Sequence, residues 1–219
     1  MYHYIDDKEF LKKLRSCCSD IINQLVQQIN NEVKICVEAH LVGSGARNMI
    51  TQNADEPVDL DYNLCILETR AINMRNEKAL KNYIKSCFND VLQRNRWGDC
   101  QDSTSALTTE RRQFTKGNPT EFSIDLAITC QYNGCWYRLI HDKTGFWDSD
   151  RWFWNEVPNS SNIFDRSAIL KSHHLWTDVR SLYLGKKNMY LRRQDHNHPS
   201  FVIYIETINE VYYQHFRHY

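Results

Sequence analysis

The run Val58-Asp59-Leu60-Asp61-Tyr62-Asn63-Leu64 most narrows what this chain can fold into. Apolar and polar residues alternate there with a period of two, the pattern of a strand with one covered face. Val58, Leu60, Tyr62 and Leu64 point one way, and Asp59, Asp61 and Asn63 the other. Two like charges side by side on a partly covered sheet are costly unless a cation neutralises them. A second run repeats the motif: Phe122, Ile124, Leu126 and Ile128 form one face, and Asp125 sits on the other with Ser123 and Ala127. If the two strands are neighbours, three carboxylates meet at one spot. That set suits hard, oxygen-ligated Mg²⁺, as two ions about 4 Å apart.

The rest of the pattern supplies a frame for these strands. Residues 7–31 carry an apolar stripe at helical spacing (Phe10, Leu14, Cys18, Ile21, Ile22, Leu25, Val26, Ile29), with Asp6 or Asp7 as N-cap. Residues 33–42 read as a strand running into Gly43-Ser44-Gly45, and Arg47 to Gln52 as a short helix before Pro57. Residues 76–94 are again helical, followed by strands at about 105–115 and 121–131 joined by Lys116-Gly117-Asn118-Pro119. Tyr132-Asn133-Gly134 turns the chain into a strand from Cys135 to Ile140. Beyond an aromatic segment, Trp147 to Trp154, come helical patterns at about 163–184 and 199–216. The expectation is an α/β (α+β) core on a small mixed sheet over residues 1–145, with a helical C-terminal part, 146–219, packed on it.

Gly43-Ser44-Gly45 is neither a P-loop, since no Gly-Lys-Ser/Thr follows, nor a dinucleotide fingerprint, since Asn48 holds the third glycine position. A strand–Gly-Ser–helix turn can hold phosphate oxygens through backbone N–H groups and the Ser44 hydroxyl; the alternative is an ordinary tight turn. Arg47 and Thr51 either assist those phosphates or lie on a helix surface. Lys186, Lys187, Arg192 and Arg193 are either a solvated helix end or a receiver for an anionic acceptor, and Arg111 and Arg112 carry the same ambiguity. Asp148-Ser149-Asp150 reads as a polar loop, and the Trp147–Trp154 segment as a buried junction. His173-His174 and His196-x-His198 have no cysteine or acid at metal-ligand spacing and do not read as a zinc site.

Composition bounds the rest. Lys+Arg and Asp+Glu balance at 27 each in 219 residues, so there is no strong duplex nucleic-acid signal. No apolar run is long enough for a membrane span, and the N-terminus is not a secretory signal. The eight cysteines form no CxxC pair, which fits a reducing, cytoplasmic setting.

With turn, Asp-x-Asp strand and third aspartate in this order, residues 35–130 resemble the DNA polymerase β-like nucleotidyltransferase superfamily. The resemblance implies a nucleotidyltransferase core moving NMP from a nucleoside triphosphate such as ATP to an acceptor hydroxyl, with pyrophosphate release. It implies that Ser44 meets the β/γ-phosphates and that Lys171 reaches the triphosphate from a later helix; Gly43 of the turn and Arg47 after it are the further candidates for holding it. Asp59 and Asp61 would bind two Mg²⁺ (or Mn²⁺) ions; Asp125 would bind the catalytic metal and help deprotonate the attacking hydroxyl. Fourteen residues separate Ser44 from Asp59, more than in the smallest antitoxin-like members. The acceptor stays open among a small molecule, a protein, an RNA end and a second nucleotide. A non-catalytic nucleotide-binding or antitoxin-like partner module with the same fold is the alternative.

Overall fold

The computed structural model describes residues 1–145, 149–158, 160–195 and 198–216. The expectations placed on Trp147, Asp148 and His196 lie outside the described residues. In chain order the elements are β1 (Tyr2–Tyr4), α1 (Lys8–Asn31), β2 (Ile35–Leu41), α2 (Gly43–Ala46), β3 (Thr51–Asn53), β4 (Val58–Thr69) and α3 (Glu77–Arg94). There follow β5 (Gln101–Asp102), β6 (Leu107–Thr108), β7 (Phe122–Tyr132), β8 (Cys135–Asp142), β9 (Arg151–Glu156), α4 (Ser161–Ser172), α5 (Trp176–Arg192) and α6 (Ser200–Phe216). The mixed sheet with flanking helices expected from the sequence is present.

The chain divides into two compact units. The first, the sheet unit, comprises Asp6–Asn48 and Pro57–Pro158. Its sheet runs β2-β4-β7-β6-β5, with β8 paired to the far half of β7 and β9 to β8. β4 and β7 are parallel, while the other pairings are antiparallel. Burial of alternate side chains sets the registers. Leu60, Tyr62 and Leu64 of β4, with Ile124, Leu126 and Ile128 of β7, are all buried on one face. The same face is tied to α1, where the Ser19 hydroxyl lies 3.0 Å from the Tyr62 hydroxyl. The buried stripes of α1 (Phe10, Leu14, Cys18, Ile21, Leu25) and α3 (Leu80, Ile84, Phe88, Val91) complete the core. Asp7 caps α1, accepting a bond from the Phe10 N–H at 2.9 Å. Among the described residues β2 pairs with β4 alone, and its register shifts between Cys36 and Val37.

A charged side chain in this core is Lys81, only 1% exposed; its ammonium lies 2.6 Å from Asp102 Oδ1 and donates to the Ser103 carbonyl at 3.0 Å. Asp102 Oδ2 also meets His141 Nδ1 at 2.9 Å, and His141 Nε2 meets Asp150 at 3.0 Å. Asp150 is thus tied to the buried His141, in place of the solvated polar loop expected from the sequence.

Three local expectations need correction. Arg47–Gln52 is not a helix: α2 is a single turn that ends at Arg47, and Asn48 takes a left-handed φ of 56°. Residues 105–115 pair with β7 only at Leu107, Thr108 and an isolated bridge at Arg112. Between them the Thr109 hydroxyl takes the Ile124 N–H at 2.9 Å, which interrupts the ladder. The 163–184 pattern is two helices, broken where His174 adopts φ 60°. By contrast Asn133 (φ 50°) and Gly134 (φ 80°) make the tight hairpin turn their chemistry predicts, with Tyr132 opposite Cys135.

The second, helical unit comprises Met1–Ile5, Met49–Glu56 and Asn159–Tyr219. β1 and β3 pair antiparallel, and Met49, Ile163, Leu170, Val179, Tyr183, Ile203, Ile208 and Val211 form its core. Lys187 is buried there, its ammonium 2.8 Å from Thr51 Oγ1 and 3.8 Å above the Tyr2 ring centroid. Burial pushes that ammonium down to about 8. Lys186 pairs with Glu210 at 3.0 Å and Glu206 at 3.5 Å. The two lysines thus serve packing within the unit, whereas Arg192 and Arg193 are exposed at a helix end.

Leu64, fully buried at the middle of β4, gives a direct check on the sheet core. Leu64→Ala is expected to lower unfolding free energy by about 2–5 kcal/mol, read from urea denaturation followed by circular dichroism.

Candidate active site

Parallel pairing places Asp61 directly opposite Asp125 and Asp59 opposite Ser123. Opposed residues, and residues two apart, project from the same face. Asp59, Asp61 and Asp125 therefore share the face of the sheet remote from the Leu60–Tyr62–Leu64 core. The three expected carboxylates come together, and each has its own surroundings.

Asp59 is exposed and accepts a hydrogen bond from the Ser123 hydroxyl. Asp125 accepts from Thr108 Oγ1 at 2.6 Å, and Thr108 in turn lies 3.1 Å from the Ser103 hydroxyl. β6 is two residues long, yet it places Thr108 opposite Asp125. Burial raises the Asp125 carboxyl above its ordinary value, the Thr108 bond opposes that, and the Asp59 charge adds to it. Asp61 lies deepest. Its burial, then the charges of Asp125 and Asp59, push it up to about 6 against the pull of Arg138 and Arg47.

The Gly-Ser turn closes over this site. Val42 N–H donates to the Asp61 carbonyl at 2.8 Å, seating the turn against β4. Gly43 has φ +62°, and a Cβ built there would stand 2.2 Å from Asp61 Oδ2. Glycine is thus required twice, by backbone conformation and by the approach of the carboxylate. Two guanidinium groups hold the turn. Arg47 Nη1 donates to the Gly43 carbonyl at 2.8 Å, and Arg15 Nη2 to the Gly45 carbonyl at 3.2 Å and Asn48 Oδ1 at 2.8 Å. Ser44 is half-buried at the first turn of α2.

Gly43, Arg47, Asp59, Asp61 and Asp125 are therefore joined through direct contacts or shared electrostatics in the sheet unit. Lys171 belongs to the helical unit, where its ammonium sits 4.5 Å above the Trp176 ring centroid. Thr51 belongs to that unit too and bonds Lys187. Arg111 is exposed, and Arg112 pairs with Glu110 at 3.0 Å. Sequence reading missed Thr108, Ser123 as a partner of Asp59, and Arg138. Ser123 was legible from its place two residues before Asp125 on the polar face. Arg138 lies on β8 opposite Thr129, its charge pulls the Asp61 carboxyl down, and its Nε is buried with no hydrogen-bond partner among the described residues. The donor set, three carboxylates without sulfur or imidazole, fits a hard divalent cation.

No protein-family model matches the chain, and no curated protein matches it in sequence. Solved structures match it in fold. CdnC of Escherichia coli MS115-1 with ATP aligns at TM-score 0.56 and 12% identity, over 93% of this chain and 61% of that one. DncV of E. coli in its 3′-deoxy GTP-bound form aligns at 0.52 and 12%, over 95% and 54%. CdnE of Elizabethkingia meningoseptica, a cyclic dinucleotide synthase with GTP and Apcpp, aligns at 0.51 and 11%, over 87% and 68%. The chain thus spans about three fifths of the length of the CdnC chain. The chain shares with these structures a mixed α+β fold, a central mixed sheet with flanking helices.

Because Asp61 holds its proton more tightly folded than unfolded, its contribution is favourable at low pH and is lost as pH rises from the ordinary 3.8 through about 6. In metal-free protein, Asp61→Asn is expected to stabilise the fold by roughly 3 kcal/mol above pH 7. The gain should vanish near pH 4, read from urea midpoints across that range.

Proposed function

We propose that this protein is a metal-dependent nucleotidyltransferase that moves NMP from a nucleoside triphosphate to an acceptor hydroxyl and releases pyrophosphate. The in-register placement of Asp61 beside Asp125, with Asp59 two residues away on the same face, carries this reading. The fold likeness to CdnC with ATP and to CdnE with GTP and Apcpp supports it.

Asp59, Asp61 and Asp125 would hold two Mg²⁺ or Mn²⁺ ions. Such ions would supply charge neutralisation at the triphosphate and acidify the attacking hydroxyl. The chain's own groups position the rest. Ser44 donates its hydroxyl to a phosphate oxygen, while Arg47 and Arg15 keep the turn rigid through its carbonyls. Thr108 fixes the Asp125 carboxylate so that its second oxygen accepts the acceptor's proton. Arg138 sets a positive charge toward Asp61, where the negative charge of a triphosphate accumulates. Lys171, expected from the resemblance, stays in the proposal as a triphosphate contact.

For the acceptor we favour the hydroxyl of a second nucleotide, on the strength of the likeness to CdnE, a cyclic dinucleotide synthase. The cytoplasm is the proposed setting, since all eight cysteines are free; among the described residues no helix is long and apolar enough to cross a membrane.

The test is incubation of the protein with each of the four radiolabelled nucleoside triphosphates, singly and in pairs, with Mg²⁺ or Mn²⁺. Labelled nucleotide products and pyrophosphate are expected, reduced at least about 100-fold in Asp59→Asn/Asp61→Asn. Undiminished activity in a well-folded double variant would overturn the reading. Nucleotide-dependent thermal stabilisation without turnover would instead favour the non-catalytic partner module.

A further inference from the structure

The face that carries the three aspartates continues beyond them. Antiparallel pairing of β2 with β4 sets Glu38 opposite Cys65 and His40 opposite Asn63. Glu38 and His40, two apart on an edge strand, project to one side; Cys65 rises from the neighbouring strand to the same side. A carboxylate oxygen of Glu38, a ring nitrogen of His40 and Cys65 Sγ all lie within 4.8 Å of one another. His40 Nε2 is 3.0 Å from Glu38 Oε1.

A second observation falls at the same place. Asn63, on the same face between Asp61 and Cys65, has a buried Oδ1 with no hydrogen-bond partner among the described residues. An orphaned buried acceptor is costly, and a cation or its bound water satisfies it. Cys65 is also held from behind: Thr129 Oγ1 donates to its sulfur at 3.3 Å, the kind of outer contact that orients a ligating group.

We propose that Glu38, His40 and Cys65 form a zinc site with its fourth position open to water, distinct from the three-aspartate site. One sulfur, one imidazole nitrogen and one carboxylate oxygen make a borderline-soft set that suits Zn²⁺ and disfavours Mg²⁺. Tetrahedral zinc sets ligand atoms about 3.5 Å apart. Spacings here, up to 4.8 Å, adjust by rotation of Glu38 and His40, whose side chains are 48% and 55% exposed. That exposure also provides the entry path, while Cys65, at 3% exposure, anchors the site. Cys65 stands four positions beyond Asp61 along β4, about 13 Å of strand. The two sites therefore lie on one face without sharing a ligand.

The inference does not depend on the transferase reading, and Co²⁺ titration of the full chain tests it. A thiolate ligand gives bound Co²⁺ a charge-transfer absorption in the near ultraviolet that carboxylates do not produce. One equivalent of Co²⁺ should raise this band, and Zn²⁺ should displace it. Cys65→Ser should abolish it, and His40→Ala, on the exposed edge and harmless to folding, should weaken binding more than about 10-fold. Asp59→Asn/Asp61→Asn should leave it unchanged. No band in the unsubstituted protein, or a band that survives in both Cys65→Ser and His40→Ala, would overturn the assignment.

Discussion

The parallel register between β4 and β7 is the constraint on which the rest of the sheet unit depends. A slip of one residue would turn Asp125 into the core and Ile124 out to water. Burial of Leu60, Tyr62 and Leu64 beside Ile124, Leu126 and Ile128 forbids that slip. Hydrophobic packing on one face thereby forces like charges together on the other. Burial first, and the charges of Asp125 and Asp59 after it, raise the Asp61 carboxyl. The fold keeps these acids close because the apolar side of the same strands cannot be arranged otherwise. The Gly43 turn then leans on Asp61 so tightly that no side chain fits between them.

Elements with a strong period were readable from the chain alone. The α1 stripe, the β4 and β7 alternations and the Asn133-Gly134 turn are each dictated by local chemistry. The aspartates were readable for the same reason, since a charge in an apolar alternation announces its face. What failed was structure decided at a distance. Nothing local gives Thr108 its strand; β6 exists because Asp125 and Leu126 of β7 pair with it. Arg138 looks like any strand arginine until β8 folds back along β7. The break at His174 depends on a left-handed residue within a helical pattern. Zinc was set aside on the adjacent histidine pairs, whereas His40 and Cys65, far apart in the chain, meet only through sheet register.

Buried lysines shape both units without advertising themselves in composition. Lys81 in α3 is neutralised by Asp102, which ties the helix to the short β5 strand. Among the described residues Lys187 has no carboxylate beside it; it leans on a threonine hydroxyl and an aromatic face, so its proton is loosely held. A cluster that looked like a basic surface is thus, in its two lysines, an internal support.

The outer edge of β2 has a bearing on how the molecule behaves in a crowded solution. An unpaired strand edge is a template on which another chain can extend a sheet. Here the edge is irregular where the register shifts at Cys36 and Val37, and it carries an acid and an imidazole on its open face. A strand from a second molecule would meet a bent backbone and polar side chains instead of a flat apolar ladder. The same two residues that could grip a metal therefore also help keep the sheet from growing into its neighbours, and self-association through this edge is opposed by its shape as well as its charge.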